Sequence, residues 1–138
     1  MSTSLTGGCL CGAVRYESSV PPVMTGNCHC RDCQRASGSA YAPTLFAPSA
    51  AVTITGEVKY FTNKGSSGRA VSRGFCPGCG SQLFGTVEQM PGLLAIRAGT
   101  LDDPSLFQPA IDLFTSRAPA WDFMDPKLPK FPEMPPRD

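Results

Sequence analysis

Alternating polar and apolar residues predict a chain built mostly from short β-strands. Between residues 13 and 18, Val14 and Tyr16 alternate with Arg15 and Glu17, which is the period of a strand with one buried face. Other segments are rich in β-branched and aromatic residues and are bounded by turn-forming residues. We therefore predict further strands at 41–47, at 52–61 with a turn at 55–57, and at 70–75, 82–87, 93–98 and 111–116.

Helical structure is expected only once. Residues 30–37 can form one short helix, which should end at Gly38. Residues 63–68 have the composition of a surface loop, and six prolines lie among the twenty residues from Pro119 onward. The prediction is therefore a mainly β protein with one short helix, in a single domain over 1–138 that carries a proline-rich C-terminal tail from about 119.

Composition narrows the classes of partner. The 138 residues include 12 Lys and Arg against 11 Asp and Glu, so a formal charge of +1 gives no general reason to bind nucleic acid or an anionic membrane. No apolar run approaches the ~18 residues of a membrane helix, and residues 1–8 lack the features of a signal peptide. We expect a cytoplasmic protein, and the oligomeric state is left open.

Seven cysteines in three tight groups are the exceptional feature. An odd number without a secretion signal argues against a disulfide framework and for thiolate metal ligands. Four and three is the natural partition, giving one closed tetrahedral zinc site and one site with an open ligand position. One half of the closed site is the pair Cys76 and Cys79, and the other half comes from either remaining group: Cys9 and Cys11, or Cys28, Cys30 and Cys33.

Other uses of these residues are less favoured. A thioredoxin-like redox pair needs a βαβ context, which is not predicted here, whereas an iron–sulfur cluster on the middle group stays open. The single histidine, His29, excludes a two-Cys, two-His finger. Because its neighbours on both sides are ligand candidates, we expect a supporting role for His29 rather than metal ligation. Asp32 is expected either to support the metal ligands or to cap the helix.

Three motifs together carry a family resemblance. The segments are Gly8-Cys9-Leu10-Cys11-Gly12, Cys28-His29-Cys30-Arg31-Asp32-Cys33 and Phe75-Cys76-Pro77-Gly78-Cys79-Gly80, with further agreement around 116–121 and 128–131. In this order and spacing the chain resembles the glutathione-dependent formaldehyde-activating enzyme family, which also includes centromere protein V.

The resemblance implies a fold and two zinc sites. The fold would be a β-tent of stacked antiparallel sheets. Structural zinc would be held by Cys9, Cys11, Cys76 and Cys79, and catalytic zinc by Cys28, Cys30 and Cys33. Many members carry a histidine where this chain has Asp112, so any role of that histidine is in doubt here.

The implied activity is that of a carbon–sulfur lyase that joins glutathione to formaldehyde. Zinc with three thiolates can accept a substrate thiol and lower its pKa. Trp121 and Phe123 could line a cleft, but core packing is expected for both. The alternatives are a non-catalytic zinc-binding or interaction module, and zinc chemistry on another thiol or small electrophile. The nearest candidates in sequence for binding the substrate carboxylates are Arg31, Arg35, Arg69 and Arg73, although an arginine at such a position is more often a solvated surface residue.

Overall fold

The computed structural model describes residues 5–135 and is mostly β, with two sheets and a single α-helix among those residues. The predicted domain of 1–138 extends beyond the described residues at both ends. The elements are β1 Leu5–Gly8, β2 Arg15–Ser18, β3 Met24–Cys28, α1 Arg31–Ser37, β4 Ala42–Pro48, β5 Val52–Thr55, β6 Lys59–Lys64, β7 Ala70–Phe75, β8 Gln82–Val87, β9 Leu93–Arg97 and β10 Ile111–Leu113.

The strands form a small sheet and a large sheet. The small sheet has the order β1-β2-β5, and the large sheet has the order β10-β3-β4-β9-β8-β7-β6. All pairings are antiparallel except that of β10 with β3, which is parallel. The predicted mainly β class with one short helix is confirmed. The segment 52–61 turns where expected, but its two halves, β5 and β6, belong to different sheets.

A shared core holds the two sheets together. Tyr16 from the small sheet, and Val14 just before β2, pack with Phe84 and Ile96 from the large sheet, all of them buried. The Tyr16 and Phe84 rings meet edge to face, with their centroids 5.4 Å apart. Burial of this apolar surface is what stacks one sheet on the other.

The helix α1 is capped at both ends by its own sequence. Cys30 is the N-cap, and its Sγ accepts a hydrogen bond from the Cys33 backbone N–H at 3.3 Å. At the other end Gly38 adopts φ 70°, and its N–H donates to the Gln34 carbonyl at 2.8 Å. The helix therefore ends at the predicted glycine, while its cap comes from Cys30 rather than from Asp32.

The C-terminal tail is extended with turns, as predicted, and lies along β10. The Asp112 N–H donates to the Pro129 carbonyl at 3.0 Å, and the Phe131 N–H donates to the Asp112 carbonyl at 3.0 Å. The strand predicted over 111–116 ends at Leu113 because Phe114 adopts φ 57° and a 3-10 turn, Thr115–Arg117, follows it. No helix in the described part of the chain is long and apolar enough to cross a membrane.

Candidate metal centres

The first cysteine cluster joins the two sheets. Cys9 and Cys11 lie in the loop between β1 and β2, and Cys76 and Cys79 lie in the turn between β7 and β8. Their four Sγ atoms all lie within 4.8 Å of one another. This closed set of four thiols is one of the two groups among residues 5–135 that can hold a metal ion.

The spacing of the sulfurs fits a tetrahedral ion. Metal–sulfur bonds of about 2.3 Å place the sulfurs of a tetrahedron about 3.8 Å apart. Here the Sγ atoms of Cys9 and Cys11 are 3.6 Å apart, and those of Cys11 and Cys76 are 3.8 Å apart. Four soft donors at this separation match a closed, four-coordinate site.

Local hydrogen bonds stabilise negative charge on the sulfurs of this cluster. The Val14 N–H donates to the Cys9 Sγ at 3.2 Å, and the Ser81 hydroxyl lies 3.2 Å from the Cys79 Sγ. The Ser81 contact is the main reason that the pKa of Cys79 falls to about 5. Donors placed around sulfur favour the thiolate, which is the form that binds metal.

The second cluster lies where β3 meets α1. Cys28 is the last residue of β3, Cys30 caps α1, and Cys33 lies in its first turn. The three Sγ atoms lie within 4.8 Å of one another, and the group also can hold a metal ion. His29 is not part of the group, so its supporting role stays a prediction.

The environment of the three thiols shifts their pKa values in different directions. Hydrogen bonds from Cys28 and Cys30 lower the pKa of Cys33, and the nearby positive charges of Arg97 and Arg73 lower it further. The pKa of Cys28 is raised well above its ordinary value, first by its contacts with Cys30 and Cys33 and then by burial.

The three thiols open onto a cavity of about 610 Å³. Its lining contains two carboxylates, Asp32 and Glu133, so cations are in excess. The five cationic side chains that line it are Arg31, Lys64, Arg73, Arg97 and Arg117.

The four arginines named as candidates for binding substrate carboxylates are placed differently. Arg31 and Arg73 line the cavity, whereas Arg35 and Arg69 are exposed and do not. Sequence reasoning missed Arg97 and Arg117. A lone charge in the otherwise apolar strand β9 is the signal that could have identified Arg97.

Two of these arginines lie near Cys33 and are held in place by hydrogen bonds. Arg97 Nη1 donates to the Thr44 hydroxyl at 2.7 Å, and Arg73 Nη1 donates to the Asn63 side-chain oxygen at 3.2 Å. The Asn63 amide nitrogen in turn donates to Asp32 at 3.4 Å. Arg73 is buried, and its Nε has no hydrogen-bond partner among the described residues. A buried donor without a partner is costly, so this nitrogen suits a ligand acceptor.

A second group of charges lies behind the three-cysteine cluster. Asp112 is buried and accepts hydrogen bonds from His29 at 2.9 Å and from Lys130 at 2.8 Å. Burial raises the pKa of Asp112, but the bonds from Lys130 and His29 outweigh it, so the pKa lies below its usual value. Asp122 contacts the other ring nitrogen of His29, and sequence reasoning had not identified it.

The prediction that Trp121 and Phe123 pack in the core is wrong. Their exposed fractions are 72% and 93%. Phe123 instead borders a second cavity of about 420 Å³, together with His29, Tyr41 and Asp112.

Comparisons with known proteins agree with this fold and with these motifs. A crystal structure of a Rhodobacter sphaeroides protein, from structural genomics, superposes with a TM-score of 0.57 at 20% identity, covering 70% of this chain and 87% of that chain. No curated protein matches the sequence significantly. The sequence profile named "Glutathione-dependent formaldehyde-activating enzyme" matches residues 4–117, a range that holds all seven cysteines and ends before the proline-rich tail. Because that match spans most of its length, the chain belongs to the glutathione-dependent formaldehyde-activating enzyme family.

Proposed function

We propose that the protein is a zinc-dependent carbon–sulfur lyase that forms or cleaves the adduct between a thiol, glutathione, and formaldehyde or a similar small electrophile. The observation that carries the proposal is the three-thiol cluster at the wall of a cavity lined by five cationic side chains. The family description supports the substrates. A module whose zinc only stabilises a fold has no need for an incomplete ligand set facing a cationic cavity.

The proposal assigns each cysteine group a separate zinc ion. Cys9, Cys11, Cys76 and Cys79 would hold a structural zinc, since their set is closed and joins two sheets. Cys28, Cys30 and Cys33 would hold the catalytic zinc, which supplies a binding position for the substrate thiol and lowers its pKa. The proposal keeps all seven cysteines as metal ligands rather than disulfides, as expected of a protein that works in the reducing cytoplasm.

The residues of the cavity would bind and orient the thiol substrate. Glutathione carries two carboxylates, and Arg31, Arg117 and Lys64 offer charge-assisted hydrogen bonds to them. Arg73 and Arg97 lie close enough to lower the pKa of Cys33, so they also offset negative charge at the sulfurs. The substrate sulfur would then bond to the carbonyl carbon of formaldehyde, whose oxygen receives the carbonyl electron pair and takes a proton from solvent.

Glutathione titration of cobalt-substituted protein tests this proposal. The thiolate-to-cobalt absorption should change as glutathione adds a fourth sulfur at the three-cysteine site. S-methylglutathione, which keeps both carboxylates but has no free thiol, should leave the band unchanged. Two bound metal ions per chain with no spectral response to glutathione would overturn the assignment, and one ion per chain would favour a purely structural module.

A matched pair of arginines on α1 tests the role of the cavity. Arg31 lines it and Arg35, four residues later on the same helix, does not. Arg31→Gln should raise the KM for glutathione about tenfold, the equivalent of losing about 1.4 kcal/mol of binding, because a charge-assisted contact is lost. Arg35→Gln should leave the steady-state kinetics unchanged. Equal effects of the two substitutions would contradict carboxylate binding in this cavity.

A further inference from the structure

His29 lies between two metal-ligand candidates but faces away from them. Side chains alternate along an extended segment, so Gly26, Cys28 and Cys30 border the large cavity, whereas Asn27 and His29 border the second cavity on the opposite face. The imidazole of His29 is 1% exposed. His29 can therefore fix the conformation of the backbone between Cys28 and Cys30 without contacting the metal ion that their sulfurs would bind.

Hydrogen bonds hold every polar group of His29. Its N–H donates to the Leu113 carbonyl at 2.9 Å, and its carbonyl accepts from the Gln34 side chain at 2.8 Å. In the ring, Nε2 lies 2.9 Å from Asp112, and Nδ1 contacts Asp122. Rotation of this residue about its backbone bonds would break several of these contacts at once.

The two carboxylates come from different parts of the chain. Asp112 belongs to β10 and is also bound by the Lys130 ammonium, whereas Asp122 belongs to the proline-rich tail. The side chains of both aspartates are buried, with exposed fractions of 1% and 0%. The family model matches residues 4–117, so it includes His29 and Asp112 but not Asp122.

We propose that His29 and Asp122 are positioning residues that hold the Cys28 and Cys30 sulfurs at the spacing that the three-cysteine site requires, with the proline-rich tail as part of the frame of that site. The inference rests on the proposed function only in that these cysteines bind zinc. Groups that orient metal ligands from outside the ligand shell typically change metal affinity by about 10–100-fold when they are removed. A contact that only anchored the tail would instead lower the stability of the whole protein.

Zinc release into an excess of chelator separates these two roles. The wild-type protein should release one zinc quickly, from the three-cysteine site, and one slowly, from the four-cysteine site. The Cys30→Ser variant should lack the fast phase and thereby identify it. Asp122→Ala should accelerate the fast phase about tenfold, the lower end of the range above, and leave the slow phase unchanged.

Two variants serve as controls. Asp122→Asn keeps a hydrogen-bond acceptor for His29, so its fast phase should stay within about threefold of wild type. Asp125 lies three residues further along the tail, and its side chain accepts from the Lys127 N–H instead of contacting His29. Asp125→Ala should release both ions at the wild-type rates.

The release rates of Asp122→Ala either support or overturn the inference. Wild-type release rates in Asp122→Ala, or equal acceleration of both phases, would overturn the inference. If Asp122→Ala does not fold, Lys130→Met replaces it, because Lys130 is partly exposed and its ammonium binds Asp112. Acceleration of the fast phase alone in that variant supports the inference, and any other result overturns it. One zinc per wild-type chain would instead contradict the proposed function.

Discussion

The Cys76→Ser variant is expected to lose its folded structure. Cys76 is 1% exposed and belongs both to the four-cysteine cluster and to the apolar core. Zinc bound to such a closed site contributes about 10–16 kcal/mol to folding in small zinc domains, which is as large as the roughly 5–15 kcal/mol stability of a typical protein. Thermal unfolding followed by circular dichroism, together with zinc content, measures the effect.

Cys11→Ser separates loss of metal from loss of packing. Cys11 is exposed, so its replacement removes one ligand and leaves the core intact. Exposed substitutions usually change stability by less than about 0.5 kcal/mol. If Cys11→Ser unfolds as Cys76→Ser does, the stability that both variants lose comes from the bound ion. Wild-type stability of Cys11→Ser would show that this cluster does not hold the fold through metal.

The Cys30→Ser variant is expected to keep the fold and lose activity. Serine is a good N-cap, so its hydroxyl can replace the Cys30 sulfur in accepting the Cys33 N–H and preserve α1. Two thiols would remain at the second site, too few to hold the catalytic ion. We expect the rate of adduct formation to fall at least about 10³-fold, which corresponds to about 4 kcal/mol of transition-state stabilisation.

The two serine variants check each other. In Cys30→Ser one zinc per chain should remain, and the melting temperature should stay close to that of the wild type. Equal losses of melting temperature in Cys30→Ser and Cys76→Ser would contradict the separation into a structural and a catalytic site. Full activity in Cys30→Ser would show that the three-cysteine cluster takes no part in the reaction.

Local patterns predicted the parts of the fold that local chemistry determines. The strands on both sides of Cys76 and Cys79 were predicted with the bounds observed for β7 and β8, and α1 ends at Gly38 as expected. Grouping the cysteines as four and three also agrees with the two clusters, because thiols that share an ion must lie near one another.

The strand that carries Cys28 could not be predicted from its own residues. The sequence of β3, Met24–Cys28, has little β-branched or aromatic character. It is a strand because β4 and β10 satisfy its backbone on either side. At Gly26 a Cβ would lie 3.0 Å from the Ile111 side chain, so a small residue is needed where β10 packs closely. The need for a small residue at position 26 therefore depends on β10, a strand that is distant in the sequence.

Long-range placement also explains the errors made at the site. Arg31 and Arg35 look alike in the sequence, and only the orientation of α1 against the sheet decides which of them faces the cavity. The approach of Asp122 to His29 joins residues 93 positions apart. The exposure of Trp121 and Phe123 likewise depends on the path of the tail, which pairs with β10 only further along, at Pro129 and Phe131. No periodicity within a short window encodes such information.

The parallel pairing of β10 with β3 has a consequence for the order in which the protein is assembled during synthesis. All four ligands of the first cluster are available once Cys79 has left the ribosome, whereas the backbone partner of His29, Leu113, and its tail partner, Asp122, follow more than thirty residues later. Pairings between distant segments form late because loop closure costs entropy before any contact offsets it. The nascent chain should therefore assemble the four-cysteine cluster first, and should form the contacts that support the three-cysteine cluster only after Leu113 and Asp122 have been synthesised.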